Sequence, residues 1–299
     1  MPSVATIITP DPHGALPTPL LRDVAEILKS DKAPVWLHPH CAADILFNAS
    51  AVGGLDEARR ILRQCLAAQP VDAVVQPMVN RRKKLLIADM DSTMIGQECI
   101  DELAAEIGLK DKVSAITERA MRGEIAFEPA LRERVALLAG LERSIVEKVI
   151  ESRITLSPGA RILVQTMRAN DAFCALVSGG FTAFTQIIAD RLGFHRNWAN
   201  VLTVADGRFT GSVQEPILGR EAKRDRLLAL SAEMAIPLGR TLAIGDGAND
   251  LAMVSEAGLG IAYRAKPALA AQADATIDHC DLTALLYAQG YSSADFMRG

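Results

Sequence analysis

The chain has 299 residues, 49% of them hydrophobic and 23% charged, with a net charge of −4. That length allows two domains with cores of their own, and the composition is that of a folded chain rather than a disordered one. A mildly acidic protein draws neither nucleic acid nor a membrane surface electrostatically, and no stretch approaches the roughly 20 apolar residues of a membrane span, so a partner is to be sought among other classes.

The start, Met1-Pro2-Ser3-Val4-Ala5, lacks the basic residues and long apolar run of a leader, and a cytoplasmic protein is expected. Five cysteines (Cys41, Cys65, Cys99, Cys174, Cys280) are scattered without a C-x-x-C pair, as in a reduced compartment. Cys99 alone stands beside candidate chemistry, and it reads as a small buried apolar residue.

Residues 1–80 read as a separate α+β unit. Val4–Ile8, Pro34–Leu37, Ala43–Phe47 and Val71–Val75 have strand character, while Leu20–Leu28 and Leu55–Ala67 have helical apolar spacing. The order βαββαβ is the ferredoxin-like pattern. Small domains of this kind on amino-acid enzymes resemble the ACT type, which binds free amino acids or pairs subunits, so this likeness implies an ACT-like unit and a homodimer through it. His38 and His40 have no carboxylate or third histidine near them in sequence and read as solvated. The basic run Asn80-Arg81-Arg82-Lys83-Lys84 reads as a solvated hinge.

Leu85–Ala88 is a short buried-strand run ended by Asp89-Met90-Asp91-Ser92-Thr93. In an α/β sheet ligands bind beyond the carboxyl ends of strands. Side chains two apart on extended chain share a side, so Asp89 and Asp91 would face one pocket and repel each other unless a cation relieves them. From about 95 to 157 the chain is helical and charged, which predicts a cap inserted over that end of the sheet that shuts out water. Within it, Glu98 and Arg134 are an anion and a guanidinium of the kind a zwitterionic amino acid needs, although each also suits an ordinary helix surface.

Ala172–Val177 is the next strand, ending in Ser178-Gly179-Gly180, where a hydroxyl and glycine amides before a helix from Phe181 suit a phosphate oxygen or an ordinary turn. Asp206-Gly207 signals a hairpin between Asn200 and Gln214. Lys223 falls in the first turn of a helix, where a cation is disfavoured unless an anion compensates it. After the strand Leu242–Ile244 comes Gly245-Asp246-Gly247-Ala248-Asn249-Asp250, a plausible hard-cation site. Leu259–Ala262 and Ala275–Ile277 complete the sheet, and Asp278 and His279 read as structural.

Asp89-x-Asp91-x-Thr93, Ser178, Lys223 and Gly245-Asp246-Gly247-x-Asn249-Asp250, in this order, resemble the haloacid dehalogenase superfamily of phosphohydrolases from about Leu85 onward. With Glu98, Arg134 and Ser178-Gly179-Gly180 the pattern is similar, within it, to the phosphoserine phosphatases as a group. The resemblance implies a Rossmann-like α/β core, mainly parallel, over residues 81–299, with the cap at about 95–157. It implies Asp89 as nucleophile and Asp91 as acid and base. Mg²⁺ would be held by Asp89, Asp91 through its backbone carbonyl, and Asp246, with Asp250 supporting it through water. O-phosphoserine would be held by Glu98, Arg134, Ser178, Gly179, Lys223 and Asn249, with Met121 and Phe127 closing the cap. Hydrolysis would release L-serine, the last step of serine biosynthesis. Two alternatives stay open: a phosphatase or phosphotransferase for another small phosphorylated metabolite, and a non-catalytic amino-acid sensor.

Overall fold

Val4 to Ile8 are all buried or nearly so, because the strand that holds them, β1 (Pro2–Ile8), has protein on both faces. The computed structural model describes residues 1–10, 16–121 and 124–298. β1 leads to α1 (Thr18–Ile27), β2 (Val35–His38), β3 (Ala42–Asn48), α2 (Leu55–Leu66) and β4 (Asp72–Pro77), the expected βαββαβ order. The strands form a small antiparallel sheet ordered β2-β3-β1-β4. Ala5, Ile7, Ala43, Ile45 and Val75 face the two helices, covered by Leu21, Val24 and Leu62. Their neighbours Ile8, Ala42 and Val74 face the other way, into a larger core, as strand alternation requires.

That larger core begins at β5 (Leu85–Ala88). The helices α3 (Cys99–Glu106), α4 (Lys110–Met121), α5 (Phe127–Ala136) and α6 (Ile145–Ser152) follow as the expected insertion, and α7 (Ala160–Ala169) returns the chain to the sheet. Then come β6 (Phe173–Phe181), α8 (Thr182–Leu192), β7 (Arg196–Asn200), a hairpin of β8 (Leu202–Ala205) and β9 (Arg208–Val213), and α9 (Arg220–Glu233). The chain closes with β10 (Thr241–Gly245), α10 (Leu251–Glu256), β11 (Gly260–Tyr263), α11 (Pro267–Ala270), β12 (Ala275–Ile277) and α12 (Ala284–Ala288). Six parallel strands run β12-β11-β10-β5-β6-β7. Leu86, Ala88, Leu242 and Ile244 face one apolar layer, and Leu85, Ile87 and Ala243 the other, which explains why these strands read as unbroken apolar runs. From β5 the chain crosses to β6 on one side and later returns to β10 on the other. The strand order therefore reverses between β5 and β10, and a crevice opens beyond their carboxyl ends.

Four details differ from the sequence expectations. β7 carries no apolar run, because a sheet-edge strand is covered less completely than a central one. Ser178-Gly179-Gly180 does not form a simple turn, since β6 continues to Phe181 with a register shift after Val177. The basic run at 81–84 is not a solvated hinge. Arg81 donates to both carboxylate oxygens of Asp44 at 2.7 Å each, to the Thr6 hydroxyl, and to the carbonyls of Tyr287 and Ala288. Lys83 is only 3% exposed, donates to the carbonyls of Gly239 and Gly258, and is pushed down to about 8 by burial, with Asp274 opposing. A carboxylate and main-chain carbonyls from distant parts of the chain turn these two cations inward. His38 stacks on Tyr287 and is half-buried, not solvated. Asp278 and His279 serve, as expected, through their backbone: their amides and that of Cys280 donate to the Asp72 carboxylate. Among the described residues no helix is long and apolar enough to cross a membrane.

Removing one partner of a largely buried ion pair strands the other charge. Arg81→Met is therefore expected to cost about 3–5 kcal/mol of unfolding free energy. Urea denaturation checks it, and a change within ±0.5 kcal/mol, about what an inert surface substitution gives, would mean the pair is mechanically idle.

Candidate active site

Asp89 is the first residue beyond β5 and Asp246 the first beyond β10, so the paired strands deliver both carboxylates to the crevice. The segment Met90–Met94 forms one wide turn, closed by the Ile95 amide donating to the Met90 carbonyl at 3.0 Å. Ser92 has φ 54°, so the chain bends instead of running on extended, and the two aspartates acquire different partners. Asp89 Oδ1 accepts from its neighbour Met90 N, and Oδ2 lies 2.7 Å from Lys223 Nζ and 3.4 Å from Asn249 Nδ2. Asp91 Oδ1 accepts from Cys99 N at 2.9 Å, and Oδ2 from the Ser178 hydroxyl at 3.1 Å.

Lys223 is 1% exposed and lies between Asp89 and Asp250, 2.6 Å from the latter. The second oxygen of Asp250 accepts from the amides of Asp246 and Gly247, so both its oxygens are engaged. A Cβ on Gly245 would lie 2.3 Å from Asp250 Cγ, which accounts for glycine there. Thr93 donates to Asp246 Oδ1 at 3.4 Å. Oxygens of Asp89, Asp246 and Asp250 lie within 4.8 Å of one another.

One ammonium does not balance three buried carboxylates. Burial first, then Asp250, pushes Asp89 well above the usual carboxylate range, against the pull of Lys223. Asp246 is pushed up to about 7 by burial, Asp250 and Glu98, with Lys266 and Lys223 opposing. Burial lowers Lys223, but Asp250 and Asp89 overcome this and hold it above its ordinary value. Asp91 is pushed up to about 6 by burial and by Glu98, against its hydrogen bonds from Cys99 and Ser178. A proton affinity near neutrality suits a group that gives and retrieves a proton. The excess negative charge and the all-oxygen donor set fit a hard divalent cation, and Asp246, whose side-chain bond is the 3.4 Å one from Thr93, is the least engaged of the three carboxylates.

The insertion stands over this cluster on a neck made by the Ile95 and Leu156 backbones. Glu98 lies just before α3 and accepts from the Ser92 hydroxyl at 2.8 Å. Arg134 on α5 is half-buried and donates to the Ala130 carbonyl and to the Thr117 hydroxyl at 3.3 Å. Glu98 and Asp101 act on it electrostatically, but among the described residues no carboxylate is within ion-pair distance. Phe127 is 40% exposed and reaches within 3.7 Å of where a Cβ on Gly179 would lie, so the cap touches the Ser178-Gly179 segment. Met121 ends α4, but its side chain lies outside the described residues. Asp89, Asp91, Ser178, Lys223, Asp246 and Asn249 thus meet in one crevice, with Glu98, Arg134 and Phe127 at its roof. Sequence reasoning judged Cys99 by its thiol, which burial pushes well up, and missed that its backbone amide holds Asp91. Main-chain donors leave no mark in residue type.

Residues 86–255 match the haloacid dehalogenase-like hydrolases. The chain belongs to that family. Over 244 residues, 80% of its length, it is 43% identical to a phosphoserine phosphatase of Streptomyces coelicolor, and it spans only 59% of that relative. A solved HAD family hydrolase from Salmonella enterica serovar Typhi matches it over 98% of both chains, with a TM-score of 0.86 and 28% identity. Another solved structure, described as a phospho-aspartyl intermediate analogue of phosphoserine phosphatase, is 42% identical with a TM-score of 0.64, over 69% of this chain and 98% of that one.

A Cβ added at Gly180 would lie 2.8 Å from Asp91 Oδ2 and 3.0 Å from Ser178 Oγ. Gly180→Ala is therefore expected to keep the fold and to lower turnover by about 100-fold, the scale of a misplaced acid-base group. Steady-state kinetics beside a thermal melt check this, and unchanged turnover would mean the two side chains have room to separate.

Proposed function

We propose that the protein hydrolyses O-phospho-L-serine to L-serine and phosphate, with Mg²⁺, through an aspartyl-phosphate intermediate. The observation that carries this reading is the buried Asp89 carboxylate, held by Lys223 and Asn249 at the mouth of the strand-order reversal with Asp246 beside it. The phosphoserine phosphatase relatives supply the substrate class. Mg²⁺ would be held by the carboxylates of Asp89 and Asp246 and the backbone carbonyl of Asp91, and supplies positive charge to a site that carries too little.

Asp89 attacks phosphorus as the bond to the serine oxygen breaks, and Asp91 delivers its proton to that oxygen. Asp91, now ionised, takes a proton from a water that attacks the same phosphorus, which releases phosphate and restores Asp89. The Ser178 hydroxyl, the Gly179 amide and Lys223 hold the phosphoryl oxygens while their charge redistributes, and Asn249 steadies the phosphate. Asp250 fixes Lys223 and the 245–247 turn rather than touching the substrate. Glu98 takes the ammonium of the substrate and Arg134 its carboxylate, while Met121 and Phe127 close the apolar side. The neutral anchors of Arg134 favour this role, because its charge is aimed but not neutralised. Residues 1–80 complete the proposal as an ACT-like unit that pairs two copies of the chain.

Two substitutions test it. Asp89→Asn is expected to abolish both turnover and acid-stable phosphoenzyme with Mg²⁺ present, at an unchanged melting temperature; surviving turnover would remove Asp89 as nucleophile. Arg134→Ala should lower kcat/KM for phosphoserine by about 100-fold or more, since an unpaired substrate carboxylate costs about 3 kcal/mol. Hydrolysis of p-nitrophenyl phosphate, which has no carboxylate, should hardly change. Equal losses on the two substrates would make Arg134 a packing residue.

A further inference from the structure

Asn200 ends β7, 3% exposed, with every hydrogen-bonding group of its amide in use. Nδ2 donates to the Gly179 carbonyl at 2.8 Å and to the Leu218 carbonyl at 3.4 Å, and Oδ1 accepts from the Leu218 amide at 2.7 Å. In the sequence it stands only as the first residue of the hairpin stretch that runs to Gln214, with no role of its own.

Its first bond fixes one end of a chain of groups. The Gly179 carbonyl and the Gly180 amide belong to a single peptide plane. That carbonyl accepts from Asn200, and the Gly180 amide donates to Ser178 Oγ at 2.8 Å. The serine oxygen, already accepting on one side, turns its proton to Asp91 Oδ2. The run from Asn200 to the peptide, to the Ser178 hydroxyl and to the Asp91 carboxylate is continuous, and each bond polarises the next. The other face of Asn200 holds Leu218, which directly precedes Gly219, the residue that opens α9 and so sets where Lys223 enters the crevice. One buried side chain thus joins the segment bearing Ser178 to the approach of the helix bearing Lys223.

We infer that Asn200 is a positioning residue for phosphoryl transfer: it acts through the Gly179–Gly180 peptide to aim the Ser178 hydroxyl and touches no substrate itself. This rests on the proposed phosphate-binding role of Ser178.

The test is a pair of substitutions, Asn200→Ala and Asn200→Asp, each made in the wild-type chain and in Ser178→Ala. Both kcat and KM are measured with phosphoserine and with p-nitrophenyl phosphate in excess Mg²⁺. In the wild-type background Asn200→Ala is expected to lower kcat about 30-fold on both substrates, the scale of a buried carbonyl left without its donor, with KM little changed. In Ser178→Ala the same substitution should cost less than about 3-fold, because contacts in one network are not additive. Asn200→Asp keeps an acceptor for the Leu218 amide and loses the donor to Gly179, so it should behave as the alanine variant does, and it carries the test should the alanine variant fail to fold. Equal losses in both backgrounds would overturn the inference in favour of a plain structural role, as would wild-type kcat in Asn200→Asp. A wild-type enzyme that does not prefer phosphoserine would defeat the substrate assignment instead, leaving the comparison of backgrounds intact.

Discussion

The rest of the site depends on a deficit of positive charge at the carboxyl ends of two adjacent parallel strands. Asp89, Asp246 and Asp250 are buried within reach of one another, and Lys223 is the cation placed directly between two of them. Such a cluster is costly to bury unless paired, and the protein meets part of the cost with the amides of Asp246 and Gly247 and the ammonium of Lys223. The remainder is what the proposed Mg²⁺ would offset. The fold positions this deficit at the carboxyl ends of the strands where their order reverses, the place at which such sheets take up ligands.

Two aspartates that look equivalent in sequence are separated by the turn that bears them. Asp89 continues its strand and meets Lys223, whereas Asp91, past the bend at Ser92, faces a backbone amide and a hydroxyl. Surroundings thus divide identical side chains into one that stays close to a cation and one that is poised near neutral pH.

Much of the architecture was legible because central parallel strands are apolar on both faces, which makes Leu85–Ala88 and Leu242–Ile244 visible as unbroken runs. The first six elements were equally plain, and the Asp206-Gly207 turn, with φ of 49° and 74°, takes the left-handed backbone that its dipeptide signals. β7 was not visible, since an edge strand has no comparable pattern. The inward turn of Arg81 and Lys83 was hidden for another reason: their partners, Asp44 and the carbonyls of Gly239, Gly258 and Ala288, lie far away in the chain, and local composition carries no trace of them. For the crevice, residue types proclaimed Asp89, Asp91, Ser178, Lys223 and Asp246 through their joint order. The backbone amide of Cys99 and the buried amide of Asn200 left no comparable mark, because only the folded chain shows what they hold.

The hairpin of β8 and β9 reads as an ornament of the core, yet it is joined to the far side of the cap by main-chain bonds. Gly140 N donates to the Phe209 carbonyl, Phe209 N to that of Leu141, and Arg143 N to that of Gly207. Arg208 and Glu142 add an ion pair across the same seam. Any swing of the helices away from the crevice that preserves these bonds must drag the hairpin with it. The moving body would then be a composite of two stretches remote in sequence, pivoting at the Ile95–Leu156 neck and at the hairpin's two connections to the core, Val201 and residues 214–219, the first of which follows directly on Asn200.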